Sequence, residues 1–294
     1  MYKFQTAQRE LRIGGVNVGG QPGKKRTLLV GSLFYPRHSV VLDPRKGKLD
    51  RAKLNERLDS YLDTVSKCSC PSGLMLYAES CESARAYLEA VCDRVPGPLF
   101  ADSGSAEVRL SFLRSAQEMG VLDRVVYNTI NAGLSEEETQ ALRACPPVNA
   151  VVLAFNPRGD DVKGRIYMLD SGDDLISQGL VPAAEELGIK NLLIDTAVTS
   201  PDLSAGSALR SIMVAKAKWG LPTGCALHNA VECLKLEGME EPKEARRSVD
   251  SSAVAISIMS GADYVVYGPM EYAKRTMPVA SFADLMMEQA ARDR

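Results

Sequence analysis

A chain of 294 residues with 45% hydrophobic content can bury a large core, and a formal net charge of -2 leaves no basic excess with which to grip a nucleic-acid backbone. No apolar run approaches the length of a membrane span, and the opening Met1-Tyr2-Lys3-Phe4-Gln5 carries no signal-peptide core, so a cytoplasmic address is expected. Seven scattered cysteines, an odd number, suit a reducing compartment; Cys68-Ser69-Cys70, the one tight pair, has no nearby His or second pair to complete a metal site, and no metal is expected.

In chain order, residues 11–23 join two short alternating runs through Gly14-Gly15, a hairpin signal, and this hairpin is expected to cover the N-terminal mouth of a barrel. A phosphate cradle is disfavoured there, because Pro22 and a strand follow in place of a helix. Eight apolar or β-branched runs come next, at 27–34, 73–78, 98–101, 124–127, 150–155, 192–194, 223–227 and 263–267. Runs of this kind fit strands buried on both faces of a parallel sheet. Segments with helical spacing separate them, among them 106–119, 135–143 and 203–219. Strands alternating with helices pair in parallel through right-handed crossovers. Eight such units predict a (β/α)8 TIM barrel filling residues 1–294 as one domain, with an open doubly wound sheet as the alternative.

Catalytic groups of such barrels stand at the C-terminal strand ends. The first strand leads to Tyr35-Pro36-Arg37-His38-Ser39 and a long charged connection, where His38 is a candidate acid or base at the mouth or else a solvated loop residue. The second ends at Glu79 and the third at Asp102-Ser103-Gly104-Ser105, where Asp102 either faces a ligand or caps the next helix. The fourth gives Asn128-Thr129-Ile130-Asn131 and the fifth Asn156. The acid-rich insert 160–179 reads as turns with a helix cap at Asp173 or Asp174 rather than a calcium loop.

After the sixth strand, Asp195 breaks an apolar run, and a carboxylate there needs hydrogen-bond partners that a ligand would supply. The seventh leads to His228-Asn229 and the eighth to Glu271; residues 237–247 read as a solvated face and 253–259 as a half-buried helix. Each Asn presents donors and acceptors in one plane, so a ring of Asn and Asp suits a flat heterocycle. Neither His38 nor His228 stands in a zinc-binding pattern, and no nucleophile elbow, P-loop or dinucleotide fingerprint is present. Positioning and hydrogen bonding must therefore carry the chemistry.

The run Ile13-Gly14-Gly15-Val16-Asn17-Val18-Gly19-Gly20-Gln21-Pro22-Gly23, with Phe100-Ala101-Asp102-Ser103, Tyr127-Asn128-Thr129-Ile130-Asn131 and Leu227-His228-Asn229-Ala230-Val231-Glu232, closely resembles the H-subunit family of tetrahydromethanopterin S-methyltransferase. The resemblance covers nearly the whole chain. It extends to the soluble bacterial members of that family, methylcorrinoid:tetrahydrofolate methyltransferases such as those of glycine betaine demethylation. It implies a pterin-binding barrel in which Asp102 and Asp195 hold the amino-pyrimidine edge, Asn128 assists them, Asn229 stands near pterin N5, and Asn156 and Glu79 support. Asn229 and Asp195 are the expected catalytic pair.

The implied reaction moves a methyl group between a methylcorrinoid and N5 of tetrahydrofolate, giving 5-methyltetrahydrofolate and Co(I). The carrier's usual DxHxxG motif is absent from this sequence, so the corrinoid is expected on a separate protein. A homodimer without membrane insertion is expected. The alternatives are a tetrahydromethanopterin-specific methyltransferase and a non-catalytic docking subunit. A dihydropteroate synthase is disfavoured, because the Lys and Arg-x-His that would hold pyrophosphate at the strand ends are missing.

Overall fold

The computed structural model describes residues 3–199, 204–236 and 238–293. A hairpin of β1 (Glu10–Ile13) and β2 (Val16–Gly19) comes first. The barrel strands are β3 (Leu28–Leu33), β6 (Ser72–Tyr77), β7 (Leu99–Asp102), β8 (Val125–Ile130), β9 (Asn149–Leu153), β10 (Asn191–Asp195), β11 (Thr223–Cys225) and β12 (Tyr264–Pro269). Each pairs in parallel with its successor, and β12 pairs with β3 to close the ring. A second small hairpin, β4 (Val41–Asp43) with β5 (Lys48–Leu49), precedes α1 (Arg51–Cys68).

The remaining helices are α2 (Cys81–Val91), α3 (Ala106–Glu118), α4 (Glu136–Ala144), α5 (Val162–Asp170), α6 (Leu180–Glu186), α7 (Ala205–Trp219), α8 (His228–Glu232), α9 (Pro242–Met259) and α10 (Ala273–Arg292). All eight expected strands are present, so the fold is a TIM barrel with an N-terminal hairpin. Among the described residues no helix is long and apolar enough to cross a membrane.

Alternation along each strand divides the apolar residues between two layers. Leu28, Val30, Phe100, Val126, Val151, Leu193, Tyr264 and Val266 point into the barrel, while a larger layer including Leu29, Leu33, Leu74, Tyr127 and Ile194 packs under the helices. Ile13 and Val18 of the first hairpin join the inner layer, so the hairpin is a plug as well as a cover. Gly14 makes that fit possible. It has φ +54, and a Cβ there would stand 2.8 Å from the backbone of Gly97.

The insert between β9 and β10 departs from expectation. Asp161 accepts from the Gly164 N–H at 2.7 Å and starts α5 at Val162, whereas Asp173 and Asp174 lie at φ 51 and 56 in a left-handed turn and cap nothing. The expected helix 203–219 is α7, which begins at Ala205; Leu203 lies outside the described residues, as does Glu237 at the start of the expected solvated face.

The bottom of the barrel is tied by a buried ion pair. Lys216 on α7 is 0% exposed and places Nζ 2.5 Å from both carboxylate oxygens of Asp263 and 3.2 Å from the Gly20 carbonyl. Asp263 in turn accepts from the Thr223 N–H at 2.9 Å. One charge pair thus joins the plug, α7, β11 and the entry to β12. Breaking a buried pair strands the surviving charge, a cost of about 3–5 kcal/mol. Lys216→Met should therefore lower unfolding stability by about that amount in urea titration, with Lys216→Met/Asp263→Asn recovering part of it; a loss under about 1 kcal/mol would show that the pair is not a structural tie.

Candidate active site

A cavity of about 440 Å³ opens at the C-terminal mouth, lined by Asp102, Asn128, Asp195 and Asn229 together with Ser32, Met75, Arg109, Asn131, His228 and Gly268. Four of the six expected site residues thus meet in one place. They do so because β7, β8, β10 and β11 all end here and the chain turns polar at each end.

Asp102 ends β7 and accepts from the Asn128 amide at 3.1 Å across the β7–β8 pairing. It is not a helix cap. Ser105 holds that position without a side-chain bond, and Ser103 Oγ accepts from the Ser105 N–H at 3.2 Å while donating to the Ala78 carbonyl at 2.8 Å. Asp195 ends β10 and accepts from the Ala197 N–H at 2.8 Å. Among the described residues neither carboxylate has an ion-pair partner. Burial pushes both up to about 6; the Asn128 hydrogen bond and Arg109 oppose it at Asp102, and the Ala197 N–H and Arg165 oppose it at Asp195.

Two buried arginines, which reading the sequence missed, shape the loops around these acids. Arg109 on α3 donates to the Ser103 carbonyl at 2.7 Å, to Tyr127 Oη at 3.2 Å and to Glu138 at 2.7 Å. Arg165 on α5 donates to the carbonyls of Thr196 at 2.7 Å and Ala197 at 3.0 Å and to Ser204 Oγ at 3.0 Å. Each guanidinium is spent on loop carbonyls and neighbouring side chains, leaving the acid beside it without a cation. The one available signal was an Arg at the fourth position of the helix after a strand end, which is weak by itself.

The other predicted residues lie elsewhere. Asn156 is buried away from the cavity, donating to the Gly164 carbonyl at 2.9 Å and to Asp173 at 2.8 Å and accepting from the Arg158 N–H at 2.9 Å, so its amide braces the insert. Glu79 is exposed outside the cavity lining, because Ser80 caps α2 and turns the chain outward. His38 is buried and off the mouth, its Nε2 2.8 Å from Glu271, which also takes Arg57. Asn229, at the start of α8, is exposed, with its amide 3.4 Å from the Val198 carbonyl. Among the described residues no three His, Cys, Asp or Glu side chains group to hold a metal ion.

The sign of the carboxylate effect on stability follows from these values. An Asp at about 6 in the folded chain but near the ordinary 3.8 when unfolded keeps its proton longer in the folded state, so stability falls as pH rises from about 4 to 6 and stays lower above. The difference corresponds to roughly 3 kcal/mol per group. Asp195→Asn keeps the acceptor for Ala197 and removes the charge. Without ligand it should melt a few degrees above the unsubstituted protein at pH 7.5, with the gap closing by pH 4; a pH-independent difference would show that the carboxylate is not desolvated.

The family model for the tetrahydromethanopterin S-methyltransferase MtrH subunit matches residues 6–294. The H subunit of the tetrahydromethanopterin S-methyltransferase of Methanothermobacter thermautotrophicus is 36% identical over 100% of this chain and 95% of its own length. That of Methanopyrus kandleri is 37% identical over 97% and 92%. The H subunit of a putative mtx methyltransferase of Methanosarcina mazei is 35% identical over 100% and 95%. Among solved structures, dihydropteroate synthases of Yersinia pestis, in a sulfonamide complex, and Vibrio fischeri superpose with a TM-score of 0.64 each. They are 15% and 16% identical and cover 97% and 98% of this chain and 99% of theirs, a likeness of fold.

The expectation of tetrahydrofolate as methyl acceptor, and with it betaine metabolism, is corrected by these findings, since the relatives that name a pterin name tetrahydromethanopterin. Asp102, Asn128 and Asp195 present acceptors and donors to the cavity. Matched over nearly its whole length by the family model and by relatives more than 30% identical, the chain belongs to the MtrH family of tetrahydromethanopterin S-methyltransferase H subunits.

Proposed function

We propose that the mouth cavity binds the pterin of tetrahydromethanopterin and that the chain exchanges a methyl group between its N5 and a corrinoid carried by a partner protein. The observation that carries this reading is the pair Asp102 and Asp195, two carboxylates without cations facing one cavity. A carboxylate is acceptor-only, and the 2-amino and N3–H groups of a pterin are coplanar donors that answer it. Asn128 braces Asp102, and Asn229, exposed at the start of α8 with its amide toward the Val198 carbonyl, is the group assigned to N5, which an amide can meet with or without its proton. The cavity exceeds the size of a bicyclic pterin head, leaving room for a second reactant above it.

The corrinoid supplies an electrophilic methyl group in one direction and a Co(I) nucleophile in the other. The chain's own work is alignment: fixing the pterin edge deep in the barrel so that N5 presents to the mouth. The family relatives are named as subunits, which supports a corrinoid-bearing partner. The reading includes a homodimer through α9 and α10, which pack side by side and leave Ile256 48% and Phe282 65% exposed, apolar surface that supports a contact there.

The test is anoxic mixing of the protein with tetrahydromethanopterin and a methylated corrinoid, following the cobalt spectrum and the methylated pterin. Formation of Co(I) is expected; no transfer with any corrinoid carrier would favour the docking-subunit reading. Asn229→Ala should slow turnover at least about tenfold while pterin affinity stays within about threefold, and an unchanged rate would remove it from the mechanism. Asp195→Asn should weaken pterin binding by about tenfold or more in calorimetry. Affinity for the unsubstituted protein should fall as pH drops through about 6, because the acceptors protonate there. Phe282→Glu should convert a dimer to a monomer by light scattering, and a monomeric unsubstituted protein would overturn that interface.

A further inference from the structure

His228 is the imidazole of the cavity wall, beside Asn229 at the end of β11. Its Nδ1 lies 2.8 Å from Asp250 Oδ1 on α9, and Asp250, buried, gives its other oxygen to Arg275. The Arg275 guanidinium stacks 3.3 Å over the Tyr272 ring, which meets the His228 ring edge-on at 5.9 Å. Burial raises the Asp250 carboxyl, and the bonds from His228 and Arg275 more than reverse it, so it is held below the ordinary carboxylate range. An anionic partner at Nδ1 fixes the tautomer with its proton there and leaves the Nε2 lone pair available.

Nε2 has no hydrogen-bond partner among the described residues; Glu232 on α8 is nearest by charge, at 3.7 Å. The groups around the imidazole are thus Asp250 from α9, Glu232 from α8, and Tyr272 and Arg275 from the start of α10. The backbone is cut away to admit this ring. Gly268 has φ +87, and a Cβ there would stand 2.5 Å from Nε2. A carboxylate-backed imidazole with an uncommitted nitrogen on a substrate cavity is the arrangement of a general acid–base.

We propose that His228 is the proton-transfer residue of the methyl exchange, accepting the N5 proton at Nε2 as N5 is methylated and returning it in reverse, with Asp250 and Arg275 as positioning residues. This rests on the pterin reading above. In the forward step the N5–carbon bond forms as the cobalt–carbon bond breaks, and the electron pair of the broken bond stays on cobalt, reducing Co(III) to Co(I). The N5 proton passes to the Nε2 lone pair, the Nδ1 proton stays in its bond to Asp250, and the imidazolium then releases its proton to solvent. Without an acceptor the methylated nitrogen would retain positive charge and the reverse displacement would be favoured.

The test is single-turnover transfer across pH 5.5–9 at saturating pterin, with pterin affinity measured separately by calorimetry. His228→Gln is expected to bind the pterin within about threefold of the unsubstituted protein and to lose about 100-fold in rate together with the imidazole limb of the pH profile. Asp250→Asn is expected to shift that limb and slow transfer about tenfold. The chain has two histidines, so nitrogen NMR of the unsubstituted protein offers a readout independent of any variant: tetrahydromethanopterin should perturb Nε2 of His228 and leave His38 unchanged. A His228→Gln rate within threefold with an unaltered pH profile, or an unperturbed Nε2, overturns the proposal. Absence of pterin binding by the unsubstituted protein overturns the pterin reading and this proposal together.

Discussion

Desolvation of two carboxylates at one barrel mouth is the constraint on which the rest of this structure turns. A closed parallel barrel places strand ends, and therefore Asp102 and Asp195, inside a rim of loops and helices where water is scarce. The ordinary remedy is a salt bridge, and two buried arginines stand near enough to supply one. Both are diverted: Arg109 to Ser103, Tyr127 and Glu138, and Arg165 to Thr196, Ala197 and Ser204. The loops are thereby braced and the acids are left without a cation, which under the proposed function is stability given up locally for recognition. The buried Lys216–Asp263 pair at the opposite end makes the contrast clear, since there an acid of the same type is fully matched and serves only to hold elements together.

The barrel was legible because its strands are unbroken apolar runs that stop abruptly at polar residues, a pattern that depends on local burial. Asp102, Asn128 and Asp195 were legible for the same reason, each being the first polar group past such a run, whereas Asn229, one residue beyond His228, was singled out by the family resemblance. Asn156 has the same address, and its side chain nonetheless turns toward Gly164 and Asp173, because α5 supplies partners that no strand-end rule reveals. That helix was itself hidden: Asp161 caps it from within a stretch so rich in Asp and Gly that it reads as loop. His228 was visible as a residue, whereas its backing by Asp250 and Arg275 comes from α9 and α10, 22 residues and more away in the chain.

The family relationship and the geometry bear on different parts of the proposed ligand. Under the proposed function the cavity floor meets the heterocycle edge, which does not vary among reduced pterins, while the choice of tetrahydromethanopterin rests on the relatives' names. The superposition on dihydropteroate synthases at 15% identity is a likeness of fold, a barrel on which different sites can be built.

The hairpin plug has a consequence for kinetics. With Ile13 and Val18 seated in the inner core, the hairpin fills the base of the barrel, and the cavity lies at the opposite end. Under the proposed reaction the small reactant and the much larger corrinoid carrier share that mouth. The carrier would cover the mouth when it docks, so the pterin must already be in place, and the altered pterin cannot depart until the carrier has gone. On that reading the plug makes the exchange a compulsory sequence in which the pterin is first in and last out.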